Sequence, residues 1–143
     1  MTTTRFTDEY LAFLLVQACA HITRPFHRGL RARGVLLPEW QVLACLIDRP
    51  GQSLIELQAL CLIPQSNLSR IVSKMVARGW VRRIEASGDR RRVDVTLTDQ
   101  GSELAQQLID AAKQQECEAL DHLNPEAIAD LKRLLTELME KNG

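Results

Sequence analysis

The sequence predicts a mainly α-helical chain carrying one small β element. Three observations carry that expectation. The chain is 45% hydrophobic but only 4% aromatic, the balance of a helical protein rich in Leu and Ala. Apolar residues recur at helical spacing along most of its 143 residues. One stretch, 81–97, instead alternates apolar and polar residues with period two, as half-buried strands do. A chain of this length buries one respectable core, and no shift in composition marks a second domain.

In chain order, Thr7 offers an N-cap for a long helix to about Ala32, with Tyr10, Phe13, Leu14, Ala18 and Ile22 along its apolar side. Pro25 should kink or break that helix, and Gly34 closes the segment. Leu37-Pro38-Glu39-Trp40 opens a second helix to Leu46 or Ile47, with proline in the first turn, where its missing N–H costs nothing. After the break at Arg49-Pro50-Gly51, Ser53 and Glu56 form a capping box that starts a short helix to about Cys61. Leu62 and Ile63 turn into the next helix, which Pro64 begins and Gly79 stops. Along it Leu68, Ile71, Val72, Met75 and Val76 share one face, leaving Ser66, Arg70, Ser73 and Lys74 opposite.

A two-stranded hairpin follows. Ala86 to Arg92 form its tip, where Ser87, Gly88 and Asp89 favour a turn and three consecutive arginines cannot all pack inward. Thr98 then caps a helix to about His122, with Leu104, Leu108, Ala111 and Ala112 inside. Asn124-Pro125-Glu126 opens a last helix carrying Ile128, Leu131, Leu134, Leu135, Leu138 and Met139.

The net charge is zero, but its distribution is uneven. Residues 64–92 hold eight Lys or Arg against two acids, whereas residues 93–143 hold four against eleven. A hydroxyl-rich, basic helix followed at once by a basic hairpin is suited to a polyanion, and the acidic C-terminal part should face away from it.

The run Gly-Trp-Val-Arg-Arg, a turn, then Asp-Arg-Arg-Arg-Val-Asp-Val-Thr-Leu-Thr-Asp-Gln-Gly resembles the winged helix-turn-helix of the MarR family of bacterial transcriptional regulators. Asp89, Arg91, Val95, Leu97, Thr98 and Gly101 stand where that family's wing carries Asp-x-Arg and then Val-x-Leu-Thr-x-x-Gly. The resemblance extends over nearly the whole chain. It implies a mainly α fold with a small β wing, in which N- and C-terminal dimerisation helices (1–36 and 99–143) flank a winged helix-turn-helix lobe (37–98). It further implies a homodimer on a pseudo-palindromic operator in double-stranded DNA, acting as a repressor released by a small aromatic or phenolic effector. Arg91 would then enter the minor groove, braced by Asp89.

The DNA-facing candidates are Gln65, Ser66, Asn67, Ser69, Arg70, Ser73 and Lys74 on the helix, with Asp89, Arg90, Arg91 and Arg92 on the wing. Ser and Asn can bond base edges or phosphates, and Arg can bond guanine bidentately. Arg78, Arg82 and Arg83 read either as phosphate contacts or as surface charges. Phe13, Phe26, His27 and Trp40 are candidate effector-lining residues whose alternative role is core packing.

Two other readings stay open: a winged-helix protein-interaction module, and a thiol-based redox sensor on the same scaffold. Against the second, the peroxide-sensing cysteine of one MarR branch would fall near Ala12, and Cys19 lies about two turns later. Cys19, Cys45, Cys61 and Cys117 have no metal-binding spacing and read as reduced thiols, three of them in apolar helical settings. The three histidines add no zinc pattern. No phosphate loop, nucleophile elbow or carboxylate pair suggests an enzyme or a cofactor. No apolar run approaches the ~20 residues of a membrane span, and no signal peptide opens the chain. The expectation is a cytoplasmic protein.

Overall fold

A computed structural model describes residues 3–143 apart from Ser87, and the side chains of Ala86, Asp89, Arg90 and Arg91 also lie outside the described set. The element order is α1 (Phe6–Glu9), α2 (Leu11–Ala32), α3 (Leu37–Ile47), β1 (Gln52–Ser53), α4 (Leu54–Cys61), α5 (Gln65–Ala77), β2 (Val81–Ala86), β3 (Asp89–Leu97), α6 (Asp99–Ala119) and α7 (Pro125–Asn142). The fold is mainly α with a small antiparallel wing.

The chain divides into two compact units, one of residues 24–112 and one of residues 1–23 with 113–143. The first holds a core of Leu30, Val35, Val42, Leu43, Leu46, Leu57, Leu68, Val72, Met75, Trp80, Val81, Val95, Ala105 and Leu108. The apolar face expected of α5 supplies three of these, Leu68, Val72 and Met75, and Ile71 and Val76 pack beside them. In the second unit none of the described residues is buried. Leu131, Leu134, Leu138 and Met139 of α7 and Leu11, Phe13, Leu14 and Val16 of α2 remain exposed there. Phe6, Tyr10 and Phe13 form a small aromatic cluster, with Phe6 and Tyr10 stacked at 4.8 Å between ring centres.

Local chemistry fixes most boundaries. Ser53 and Glu56 make the expected capping box, the Glu56 amide donating to Ser53 Oγ and the Ser53 amide to Glu56 Oε2. Asn124 caps α7 by accepting from the Glu126 amide. α5 ends in a Schellman motif: Gly79, at φ +78°, donates to the Val76 carbonyl and Trp80 to that of Met75. Pro64 is the N-cap of α5 rather than part of its first turn.

The N-terminal helix differs from expectation. Thr7 does not cap it; the cap position is Arg5, and extended backbone at Tyr10 separates α1 from α2. α2 then continues through Pro25 without interruption. Proline removes only one backbone donor, and the hydrogen bonds of the neighbouring turns hold the helical path. α6 ends at Ala119, a turn short of His122, because Leu120 to Leu123 form the corner before α7.

The sheet has three strands, in the order β1-β3-β2, rather than two. β1 is only Gln52 and Ser53, paired with Val95 and Asp94, too short for alternation to reveal it. β2 and β3 pair from Val81↔Leu97 to Glu85↔Val93; the next pair is Ala86↔Asp89. The strands therefore extend into the segment expected to be a loose tip. Arg90, Arg91 and Arg92 lie where the register jumps.

Candidate nucleic-acid interface

α5 and the wing bound one side of the 24–112 unit. With its apolar face in the core, α5 leaves Gln65, Ser66, Asn67, Arg70, Ser73 and Lys74 exposed and Ser69 half-buried. Arg70 Nη2 donates to Asn67 Oδ1 at 2.8 Å, one turn earlier, so two candidate base-reading groups are held together. Ser73 is already engaged: its hydroxyl donates to the Ser69 carbonyl at 3.0 Å and accepts from Arg83 Nη2 at 2.8 Å.

That last contact follows from the sheet register. Arg83 pairs directly with Val95, so both side chains leave the same face. Val95 reaches the core while Arg83 reaches α5. A cleft between wing and helix results, lined by Ser53, Gln65, Ser69, Arg83, Arg92 and Val93 among others. It presents two guanidiniums and several hydrogen-bonding side chains.

The remaining basic residues divide. Arg78 is not a free surface charge. Its Nη1 donates to the Gly34 carbonyl at 2.8 Å and approaches buried Glu39 Oε1 at 3.3 Å, and its guanidinium lies 3.7 Å from the Trp80 ring centre. The same Glu39 oxygen accepts from the Leu36 amide at 2.8 Å, which completes the start of α3. Arg92 pairs with Glu56 at 2.8 Å and with Asp94 at 2.9 Å. The Ser53 amide holds the Glu56 carboxyl below the usual carboxylate range against an opposing desolvation, and Arg92 adds to the lowering. Asp94, then Glu56, favours the charged form of Arg92 further. The proposed bracing of Arg91 by Asp89, and the position of Arg90, fall on side chains outside the described set.

The motif that carries the family resemblance has a local physical basis. Thr98 Oγ1 donates to the Gly79 carbonyl at 2.6 Å and accepts from the Gly101 amide at 3.0 Å, joining the end of α5 to the start of α6. A Cβ on Gly101 would stand 1.8 Å from the Trp80 carbonyl oxygen. Only glycine permits that approach.

A crystal structure of the MarR family transcriptional regulator SPO1453 from Silicibacter pomeroyi aligns at 37% identity and TM-score 0.87, covering 98% of this chain and 100% of that one. The chain belongs to the MarR family. The family model described as MarR family matches residues 33–92. The transcriptional repressor MprA of Escherichia coli is 26% identical over 106 residues, 70% of this chain and 60% of MprA. This chain thus spans less than two thirds of the length of that relative. BpsR of Bordetella bronchiseptica, whose DNA binding is regulated by 6-hydroxynicotinic acid, shares the fold at 23% identity and TM-score 0.81, over 96% of this chain and 97% of its own.

Of the effector candidates, Phe26 and Trp40 meet edge to face at 5.0 Å between ring centres, with His27 beside Phe26. Both rings pack against the core. Phe13 belongs to the other unit.

All four cysteines are free, and only Cys61 is buried; Cys19 and Cys117 are exposed. Cys61 Sγ lies 3.6 Å from Cys45 Sγ, and burial, with Cys45 adding to it, pushes the Cys61 thiol up to about 12. Among the described residues no three His, Cys, Asp or Glu side chains converge as a metal site, and no helix is long and apolar enough to cross a membrane.

Sequence reasoning missed the wall of the cleft opposite α5. Ser53 and Glu56 were legible as a cap, but nothing in their spacing announces that Glu56 also receives a wing arginine. Arg83 could have been found from its period-two phase with Val81, which places it on the inward face.

Proposed function

We propose that this MarR-family chain is a homodimeric, sequence-specific DNA-binding repressor. One observation carries the reading: an α5 face of Gln65, Ser66, Asn67, Arg70 and Lys74 lies beside a wing whose tip holds three consecutive arginines. The dimensions of an α-helix suit the DNA major groove, and a wing arginine suits the electronegative minor groove. In this reading 37–98 is the reading lobe, and 1–36 with 99–143 supply the dimerisation helices. The exposed leucines of α7, in a unit where none of the described residues is buried, support a second copy as partner. A dimer would place two copies of α5 in successive major grooves of a pseudo-palindromic operator.

Release follows if a small aromatic or phenolic ligand favours a spacing of the two reading heads that no longer fits the operator. The regulation of BpsR by a small aromatic acid supports that class of effector. Phe26, His27 and Trp40 are its proposed lining.

The test is binding of Arg70→Ala and Lys74→Ala to duplexes that the wild-type protein selects from a randomised pool. Arg70→Ala should cost about 1–3 kcal/mol and relax preference at one base position. Lys74→Ala should weaken all sequences about equally. An Arg70→Ala protein with unchanged affinity and preference overturns the assignment of the reading face.

A further inference from the structure

The Glu56–Arg92–Asp94 cluster joins β3 to α4, with Arg92 four residues beyond Gly88 of the wing turn. Glu56 uses its two oxygens separately. Oε2 accepts from the Ser53 amide at the start of α4, and Oε1 accepts from Arg92 Nη2, each at 2.8 Å. Arg92 Nε donates to Asp94 Oδ1 at 2.9 Å. Asp94 in turn pairs with Ser53 in the β1–β3 ladder. Two acids thus converge on one guanidinium at the point where β3 loses register with β2. On the tip side of Val93 the regular pairing breaks until Ala86↔Asp89. There Arg92 contacts Glu56 of α4.

An arginine that meets a phosphate should not already satisfy two carboxylates. Swinging Arg92 out into a groove would break two charge-assisted hydrogen bonds and leave two acids facing the DNA backbone. We propose that Arg92 is a positioning residue: with Glu56 and Asp94 it anchors the wing tip to the helix-turn-helix, so that its neighbours in the arginine run, and not Arg92 itself, are presented to DNA. This deepens the DNA-binding reading and rests on it.

Glu56→Gln separates anchoring from simple charge. Glutamine still serves in a capping box, so the start of α4 is kept. If the wing acts only as a positive patch, removing an acid beside a polyanion strengthens binding. If Glu56 anchors Arg92, the same change weakens it, by about three- to tenfold on the scale of one lost coupling. Arg92→Ala should cost about as much, and the double variant should bind no worse than Arg92→Ala alone.

The probe is the duplex that the wild-type protein selects from a randomised pool, titrated at two salt concentrations. In parallel, ¹⁵N relaxation of the amides of Gly88 and Arg90 to Val93 is measured in the free protein, where anchoring predicts increased mobility in both single variants. Tighter or unchanged binding of Glu56→Gln with unaltered relaxation overturns the proposal. So does an Arg92→Ala variant whose only change is a salt slope smaller by about one, the signature of a lost phosphate contact. If the wild-type protein selects no duplex, the DNA-binding reading fails and relaxation alone decides the anchor.

Discussion

At the scale of single residues, two glycines in helices behave oppositely, and the difference is readable in what surrounds them. A side chain at Gly101 would collide with the Trp80 carbonyl, a backbone atom that cannot step aside without disturbing the end of α5. Gly101→Ala should therefore destabilise by on the order of 3 kcal/mol. Gly29, inside α2, has nothing within 4 Å of the corresponding position. Gly29→Ala should stabilise by about 0.5–1 kcal/mol through helix propensity. Urea denaturation of the two variants tests the pair, and equal shifts would show that the packing at Gly101 is looser than described. Thr98 belongs to the same knot. Its hydroxyl gives a hydrogen and takes one, so valine at that position would keep the shape and lose both bonds.

Among elements, the wing and α4 share one carboxylate. Glu56 has its affinity for a proton lowered by the Ser53 amide first and by Arg92 after it. A carboxyl held below its ordinary value contributes stability above the ordinary carboxylate range, about 4, and loses it as the pH falls through the lowered value. Amide protection in β1 and at the start of α4 should accordingly decline in acid before that of α5, as measured by hydrogen exchange across a pH series corrected for intrinsic rates. In Glu56→Gln the early decline should vanish. The cap itself was visible in the sequence because Ser and Glu three apart satisfy each other locally. The same holds for Gly79 after α5 and for Asn124 before α7. β1 was invisible because two residues cannot show a period, and the Arg92 anchor because it joins positions 36 residues apart. Pro25 misled for a related reason: the penalty is local, while the continuity of α2 is set by the turns on either side.

For the whole molecule, the proposed dimer draws its support from apolar surface left open. Leu131 and Leu138 are 45% and 43% exposed on α7, in a unit that buries none of its described residues. An apolar surface of this kind is normally closed by another chain. Leu131→Glu combined with Leu138→Glu should convert a dimer into monomer or into insoluble protein, read by sedimentation at micromolar concentration. A wild-type monomer under those conditions would refute the dimer. The exposed face of α5 was legible, because amphipathic phase alone separates Leu68, Val72 and Met75 from Arg70 and Lys74. The allocation of arginines was not. Arg78, Arg83 and Arg92 look alike in sequence, yet one stacks on Trp80, one bonds Ser73 and one joins two carboxylates.

The bond from the Thr98 hydroxyl to the Gly79 carbonyl, with the Thr98 amide on the Trp80 carbonyl, fastens both ends of the wing at its root. The hairpin is thereby a closed loop whose size matters little to the rest of the chain. Doubling the length of such a loop costs only about 0.6 kcal/mol in closure entropy. Residues can be gained or lost at the tip while α5 keeps its place, so the reach of the wing can change without moving the helix.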